Sequence, residues 1–186
     1  MKTSAKIDFP VSDIGCLLEP GPIVPVSSAW KGRTNIMTMG WHMMMEFQPS
    51  LLGCVISSAN HSFRMIRDSR ECVINLPTVD LARTVVRIGN CSGRDVDKFA
   101  AFELSPRPAV HVRAPRIEEC YANFECRLAD AGMVRKYNLF VFEVVKAHVA
   151  RSPRVPKTIH YRGDGQFMIA GLTTSRYRRL FRPEML

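Results

Sequence analysis

Residues 138–150, NLFVFEVVKAHVA, place Phe140, Phe142, Val144 and Lys146 on one side of an extended chain and Val141, Glu143, Val145 and Ala147 on the other. Alternation over this length specifies a β-strand, and a strand this apolar needs partners on its edges. The rest of the chain supplies them. PIVPVSSAW (22–30) reads as a strand, Lys31-Gly32-Arg33 as its turn and NIMTMGWHMMM (35–45) as its hairpin partner. SLLGCVISSA (50–59), ECVINLP (71–77), AVHVRAP (109–115) and CYANFECRLADAG (120–132) complete the set. Helices interrupt the strands. SFRMIRDS (62–69) has Ser62 as N-cap, and VDLARTVVRIGN (79–90) carries Leu81, Val85 and Ile88 at helical spacing before Gly89-Asn90. A third helix opens at SGRDVDKFAAF, where Ser92 and Asp95 form a capping pair. The expected fold is an antiparallel barrel or sandwich, mainly β, with a few short helices.

Several function classes are set aside by composition. No run approaches the roughly 18 apolar residues of a membrane helix, and Asp8, Asp13 and Glu19 interrupt the first twenty residues where a signal peptide would be apolar. A single cytoplasmic domain over residues 1–186 is expected. Its six cysteines lie far apart without a CxxC pair, so reduced, partly buried thiols are expected rather than disulfides or zinc ligands. The five histidines have no metal-ligand spacing, and no nucleophile elbow is present. A formal charge of +9 suits nucleic acid, an acidic protein or a phosphorylated small molecule. The charge is dispersed except at SRYRRLFRP, and no nucleic-acid motif accompanies it, which disfavours nucleic acid.

Three segments carry chemistry. TNIMTMGWHMMM puts five methionines and a tryptophan into twelve residues. As one strand it would show Asn35, Met37, Met39, Trp41, Met43 and Met45 on one face, with Ile36, Thr38, Gly40, His42 and Met44 on the other. Such a floor suits a flat, electron-rich ligand, although methionine also fills ordinary cores. In VISSANHSFRMIRDS a strand ends at Ser57-Ser58-Ala59-Asn60 and a helix begins near Ser62, where unpaired N–H groups offer a phosphate site completed by Arg64 or Arg67. A merely capped helix with solvated arginines is the competing account. SGRDVDKF repeats the pattern: Gly93 allows close approach, and Arg94 and Lys98 bring charge, against a plain Asp95–Lys98 helical pair.

In this order and spacing, PGPIVPVSSAWKGRTNIMTMGW, ISSANHSFRMIRDSRECVINLP and SGRDVDKF resemble the flavin reductase-like, FMN-binding split-barrel family that includes flavoredoxin. Asn35, Met37, Thr38 and Trp41 match its N-x-M-T-x-x-W strand, Asn75 and Pro77 its N-x-P, and Ser92, Gly93, Lys98 and Phe99 its closing segment; IHYRGDGQFMIAG is similar to its last strand. The resemblance implies a six-stranded antiparallel Greek-key barrel, a homodimer, and FMN near the subunit interface. It places Asn35, Ile36, Met37, Thr38, Met39 and Trp41 along the isoalloxazine and Ser57, Ser58, Ala59 and Asn60 along the ribityl chain. Ser62, Phe63, Arg67, Ser92 and Lys98 fall around the phosphate, and His160 and Tyr161 near the open face of the ring. It further implies hydride from NAD(P)H and an acceptor that is a flavin, ferric iron, a monooxygenase or an acidic redox protein. No acid or base is assigned. Asn60-His61-Ser62 stands where relatives often carry an arginine-threonine pairing, so the phosphate grip stays open. Rival readings are an electron carrier without NAD(P)H activity, a non-catalytic binding module, and a pyridoxamine-phosphate-oxidase type of barrel.

Overall fold

The computed structural model describes residues 5–185. Strands β1 (Lys6–Phe9), β2 (Val24–Trp30), β3 (Arg33–Met39), β4 (His42–Phe47), β5 (Ser50–Val55) and β6 (Glu71–Leu76) precede two short ones, β7 (Pro106–Arg107) and β8 (Arg116–Ile117). β9 (Ala122–Asp130) and β10 (Leu139–Ala150) are the long strands, and β11 (Ile159–Gly163) and β12 (Gln166–Ile169) form a separate hairpin. The helices are α1 (Gly15–Leu18), α2 (His61–Ser69), α3 (Ala82–Gly89), α4 (Lys98–Ala101) and α5 (Val134–Tyr137). Among the described residues no helix is long and apolar enough to cross a membrane.

The main sheet runs β3-β2-β6-β9-β10-β5-β4, with β1 added to β10, and every pairing is antiparallel. The non-sequential order, with β5 crossing through α2 to β6, is that of a Greek key. Its two end strands, β3 and β4, are consecutive in the chain and joined by Gly40-Trp41, so the sheet curls into a barrel that stays split along this seam. The sheet has eight strands rather than the expected six. The methionine segment divides in two at Gly40-Trp41, and the short KIDF strand adds an edge. At this break Gly40 passes close to Ile23, whose Cδ1 a Cβ there would meet at 2.7 Å.

The β2–β3 turn matches expectation for a physical reason. Lys31 and Gly32 both adopt positive φ, 49° and 75°, the backbone that lets a two-residue turn follow the twist of the strands. Inside the barrel, Phe124, Phe140, Phe142, Leu52 and Ile74 are fully buried, each contributing roughly 1.5–3 kcal/mol of burial. A second apolar cluster, with Ile36, Val85, Ile88, Phe99 and Ile159, glues α3 and α4 to the outer face of β3.

Three local expectations are corrected. AVHVRAP (109–115) forms no strand. The amides of Val110 and His111 instead donate to the fully buried Glu125 carboxylate on β9, at 2.9 and 2.6 Å. The α2 cap is Asn60, not Ser62, which turns inward and is fully buried. The third helix starts at Lys98 under an Asp97 cap that accepts from the amides of Phe99 and Ala100. Ser92 accepts from Arg94 N in a turn, and Lys98 reaches Ile88 O rather than Asp95. All six cysteines are free thiols; Cys54, Cys72, Cys120 and Cys126 are buried as expected, whereas Cys16 is exposed and Cys91 half-buried.

Candidate functional site

The split in the barrel opens onto a cleft of about 750 Å³. Met37, Thr38, Met39, Gly40 and Trp41 form one wall as β3 leaves the sheet, and Val55, Ile56 and Ser57 form a second where β5 ends. The last turns of α3 close a third side through Val85, Val86, Gly89 and Asn90, and Tyr161, Gly165 and Phe167 of the β11–β12 hairpin border the mouth. Position is fixed by buried contacts. Thr38 Oγ1 donates to Val85 O at 2.7 Å, tying α3 to β3, while Met37 and Met39 root the strand in the barrel core. On the far side of Gly40, His42 Nε2 donates to Pro22 O at 2.7 Å, and burial pushes the imidazole below its ordinary pKa against the opposing pull of that bond.

Beyond Ser57 and Asn60 the cleft continues into a polar pocket of about 350 Å³ bounded by Asn35, Ala59, His61, Cys91, Ser92, Gly93 and Lys98. Lys98 is buried with its ammonium on Ile88 O at 2.8 Å. Desolvation lowers its pKa, an effect the Cys91 thiol opposes. Asn35 is 2% exposed. Its Nδ2 donates to Ser62 Oγ at 2.8 Å, while Oδ1 is buried without a hydrogen-bond partner. Gly93 is required here by space: a Cβ would lie 2.0 Å from Asn35 Oδ1. A third pocket, of about 650 Å³, lies past Asn60 and His61 and is lined by cations. His61 reports their field, because its pKa is lowered by partial desolvation and then by the charges of Arg94, Arg33 and Lys98.

The structure gathers most residues singled out from the sequence, though into three chemical zones rather than one. Met37, Thr38, Met39 and Trp41 line the apolar cleft, and Ser57 and Asn60 bridge it to the polar pocket. Asn35, Ala59, Ser92 and Lys98 line that polar pocket. Ser58, Phe63 and Arg67 instead face the cationic pocket, and Arg67 is paired with Asp68 at 2.9 Å. Two residues line none of these pockets. Ile36 points the other way into the α3 cluster, and Ser62 is buried behind Asn35. Tyr161 borders the cleft, but His160 does not; it is buried, bonded to Thr158 Oγ1 and Gly21 O. Gly89, Asn90, Asn138 and Phe167 were not foreseen. Helical spacing gave α3 its apolar side, but nothing in that spacing says that its C-terminal end stops at a cleft.

Comparison with known proteins fits this geometry. The family model for the flavin reductase like domain matches residues 17–167. YddH of Escherichia coli K12 is 30% identical, the match covering 83% of this chain and 89% of that protein. A protein of Archaeoglobus fulgidus is 32% identical over 61% of this chain, and the match spans 64% of that relative's length. Among solved structures, an FMN-binding domain of a flavin reductases-like enzyme from Shewanella baltica superposes with a TM-score of 0.86 at 24% identity, covering 94% of this chain and 98% of that one. The flavoredoxin of Desulfovibrio vulgaris does so at 0.76 and 23% identity, over 84% and 90%. At these identities the solved structures establish the shared split-barrel fold. Together with the sequence match they place the chain plainly: it belongs to the flavin reductase-like domain family.

Proposed function

We propose that the chain binds FMN in this composite site and works as a flavin-dependent oxidoreductase. The observation that carries the reading is Asn35. A buried amide oxygen without a partner costs about 1–3 kcal/mol, and Asn35 Oδ1 stands in this condition on the wall of the polar pocket. A ribityl hydroxyl passing from the apolar cleft supplies the missing donor. The other surfaces fit the same ligand: apolar walls with methionine sulfur for the ring, Ser57 and Asn60 along the sugar alcohol, and Lys98 with Ser92 for the phosphate. The α2 N-terminus, capped by Asn60 without a side-chain bond, adds unpaired amides.

When bound, FMN supplies reversible acceptance of electrons, which no side chain here can provide. The residues of the chain position and insulate. Met37, Met39, Val55 and Ile56 hold water away from the inner side of the cleft, and Tyr161 and Trp41, both largely exposed, flank the outer side from which a reductant would approach. NAD(P)H is the proposed reductant and a flavin, ferric or protein acceptor the proposed oxidant; a homodimer in the cytoplasm is the proposed form. Two neighbours of the same fold are a nitrilotriacetate monooxygenase component B and a 2-nitrobenzoate 2-nitroreductase, which supports redox work at this cleft.

One observation favours a second reading, reduction by a protein. The net charge is +9 and the exposed tail carries Arg176, Arg178, Arg179 and Arg182, a surface suited to an acidic redox partner. Anaerobic titration of the FMN-loaded chain separates the two. Bleaching of the flavin band by NADH or NADPH supports the reductase, and bleaching only by a reduced ferredoxin-type protein supports the carrier. A folded preparation that takes up no FMN ends both. Lys98→Gln should weaken FMN about tenfold and leave riboflavin binding unchanged, since only FMN brings a phosphate.

A further inference from the structure

The cationic pocket is more than one phosphate needs, and it lies past the place where the FMN phosphate is held. It meets the polar pocket at Asn60 and His61 but the apolar cleft only at Asn60. It therefore prolongs the line from ring cleft to polar pocket, and does not open beside the ring where a reductant would approach. Its volume, about 650 Å³, nearly equals that of the ring cleft. Lys31 and Arg33 reach it from the β2–β3 turn and Arg94 from the segment before α4, while Trp30 and Phe63 give it an aromatic wall.

These cations are poised for an anion. Asp68 engages Arg64 at 3.6 Å and Arg67 at 2.9 Å. No ion pair among the described residues engages Lys31, Arg33 or Arg94. Asp95 is the nearby carboxylate that opposes their effect on His61, and it is outweighed by Arg94, Arg33 and Lys98. The polar pocket meanwhile has its own buried cation, Lys98. The line of pockets thus offers two successive anion sites followed by an aromatic surface.

Building on the flavin reading above, we propose that the cationic pocket takes the adenosine-phosphate half of a flavin dinucleotide, so that the chain binds FAD more tightly than FMN. The first phosphate lies at Lys98. The second meets Arg33, Arg94 and Lys31, and the adenine lies along the Trp30–Phe63 wall. No covalent step is involved.

The test is equilibrium binding to the flavin-free full-length chain, followed by quenching of flavin fluorescence at physiological salt. FAD should bind at least about tenfold more tightly than FMN, the size of one charge-assisted contact. The double variant Arg33→Ala/Arg94→Ala removes two exposed side chains, and a thermal melt checks that its fold is kept. It should raise the FAD Kd about tenfold or more and the FMN Kd by less than about threefold, since distant charges are screened. AMP, the adenosine-phosphate half alone, should compete with FAD and leave FMN in place. Equal affinity for the two flavins, or equal loss of both in the variant, overturns the proposal while leaving FMN binding intact. Binding of neither flavin overturns the flavin reading itself.

Discussion

Gly93→Ala tests the site through a single methyl group. The added Cβ would lie 2.0 Å from Asn35 Oδ1, 2.4 Å from Cγ and 2.8 Å from Nδ2, so the whole amide must move. It has little freedom to do so, being 2% exposed and bonded through Nδ2 to Ser62 Oγ, itself fully buried. Moving it breaks that bond and leaves the hydroxyl unsatisfied, at about 1–3 kcal/mol. Holding the side chain off its rotamer adds about 0.5–1.5 kcal/mol. The expected loss is about 1.5–4.5 kcal/mol in urea unfolding, with FMN or FAD affinity down about tenfold because the Asn35 amide, which lines the polar pocket, is displaced. Gly89→Ala is the control. It also lines the cleft, but its Cβ would meet Thr38 at an ordinary 3.5 Å at the end of α3, where alanine is neutral or favourable by up to about 1 kcal/mol. In an Asn35→Ala background the Gly93→Ala cost should fall below about 0.5 kcal/mol, because the colliding group is gone. An unchanged cost in that background, or a Gly93→Ala no worse than Gly89→Ala, would refute the reasoning.

Asn75→Ala should cost about 3 kcal/mol or more by urea denaturation. Its Nδ2 serves Val73 O and Ser27 Oγ at 3.0 and 3.1 Å, and its Oδ1 accepts from Ile117 N and Asn123 Nδ2 at 3.0 and 2.8 Å; a loss under about 1 kcal/mol would show the network to be dispensable. Acid should destabilise the fold in two stages. His148, pushed down chiefly by burial, resists protonation when folded, so stability begins to fall as pH drops through about 6.5. Burial pushes the Glu125 carboxyl up, but the amides of Val110 and His111, with His148, outweigh it and hold the folded pKa below 4.5. Its contribution is complete above about pH 4.5 and lost as pH falls through the folded value. Urea midpoints measured across this range should decline accordingly, and Glu125→Gln should flatten the lower stage; equal steepness in the variant assigns that stage elsewhere. Along the edge strand β4, Met43, Met45 and Phe47 are each more than two-fifths exposed, an apolar row that a second copy would cover. Sedimentation should therefore give a dimer for the natural chain and a monomer for Met43→Lys/Met45→Glu; a monomeric natural chain removes the homodimer proposal.

What was legible in the sequence is what local rules decide. Lys31-Gly32 specifies its hairpin because both residues must take positive φ, and β10 specifies itself by alternation along its length. Legibility fails where a backbone group finds its partner far along the chain. AVHVRAP alternates as well as many strands do, yet its amides bond to Glu125, a side chain some fifteen positions away, and the segment stays out of the sheet. Ser62 has the composition of a helix cap, but its hydroxyl is taken by Asn35, 27 residues earlier, and Asn60 occupies the cap instead. The same contact explains why the site could be found and still be misdrawn. Motif residues brought Asn35, Ser62 and Gly93 to notice together as ligand-facing groups. In three dimensions they form a chain of support: Ser62 holds one end of the Asn35 amide, Gly93 makes room beside it, and only Oδ1 is left to meet a ligand. A residue pattern therefore marks both the atom proposed to meet the cofactor and those that hold it in place. Only the packing separates the two roles, and it does so here by leaving Asn35 Oδ1, on a residue that lines the polar pocket, without a partner.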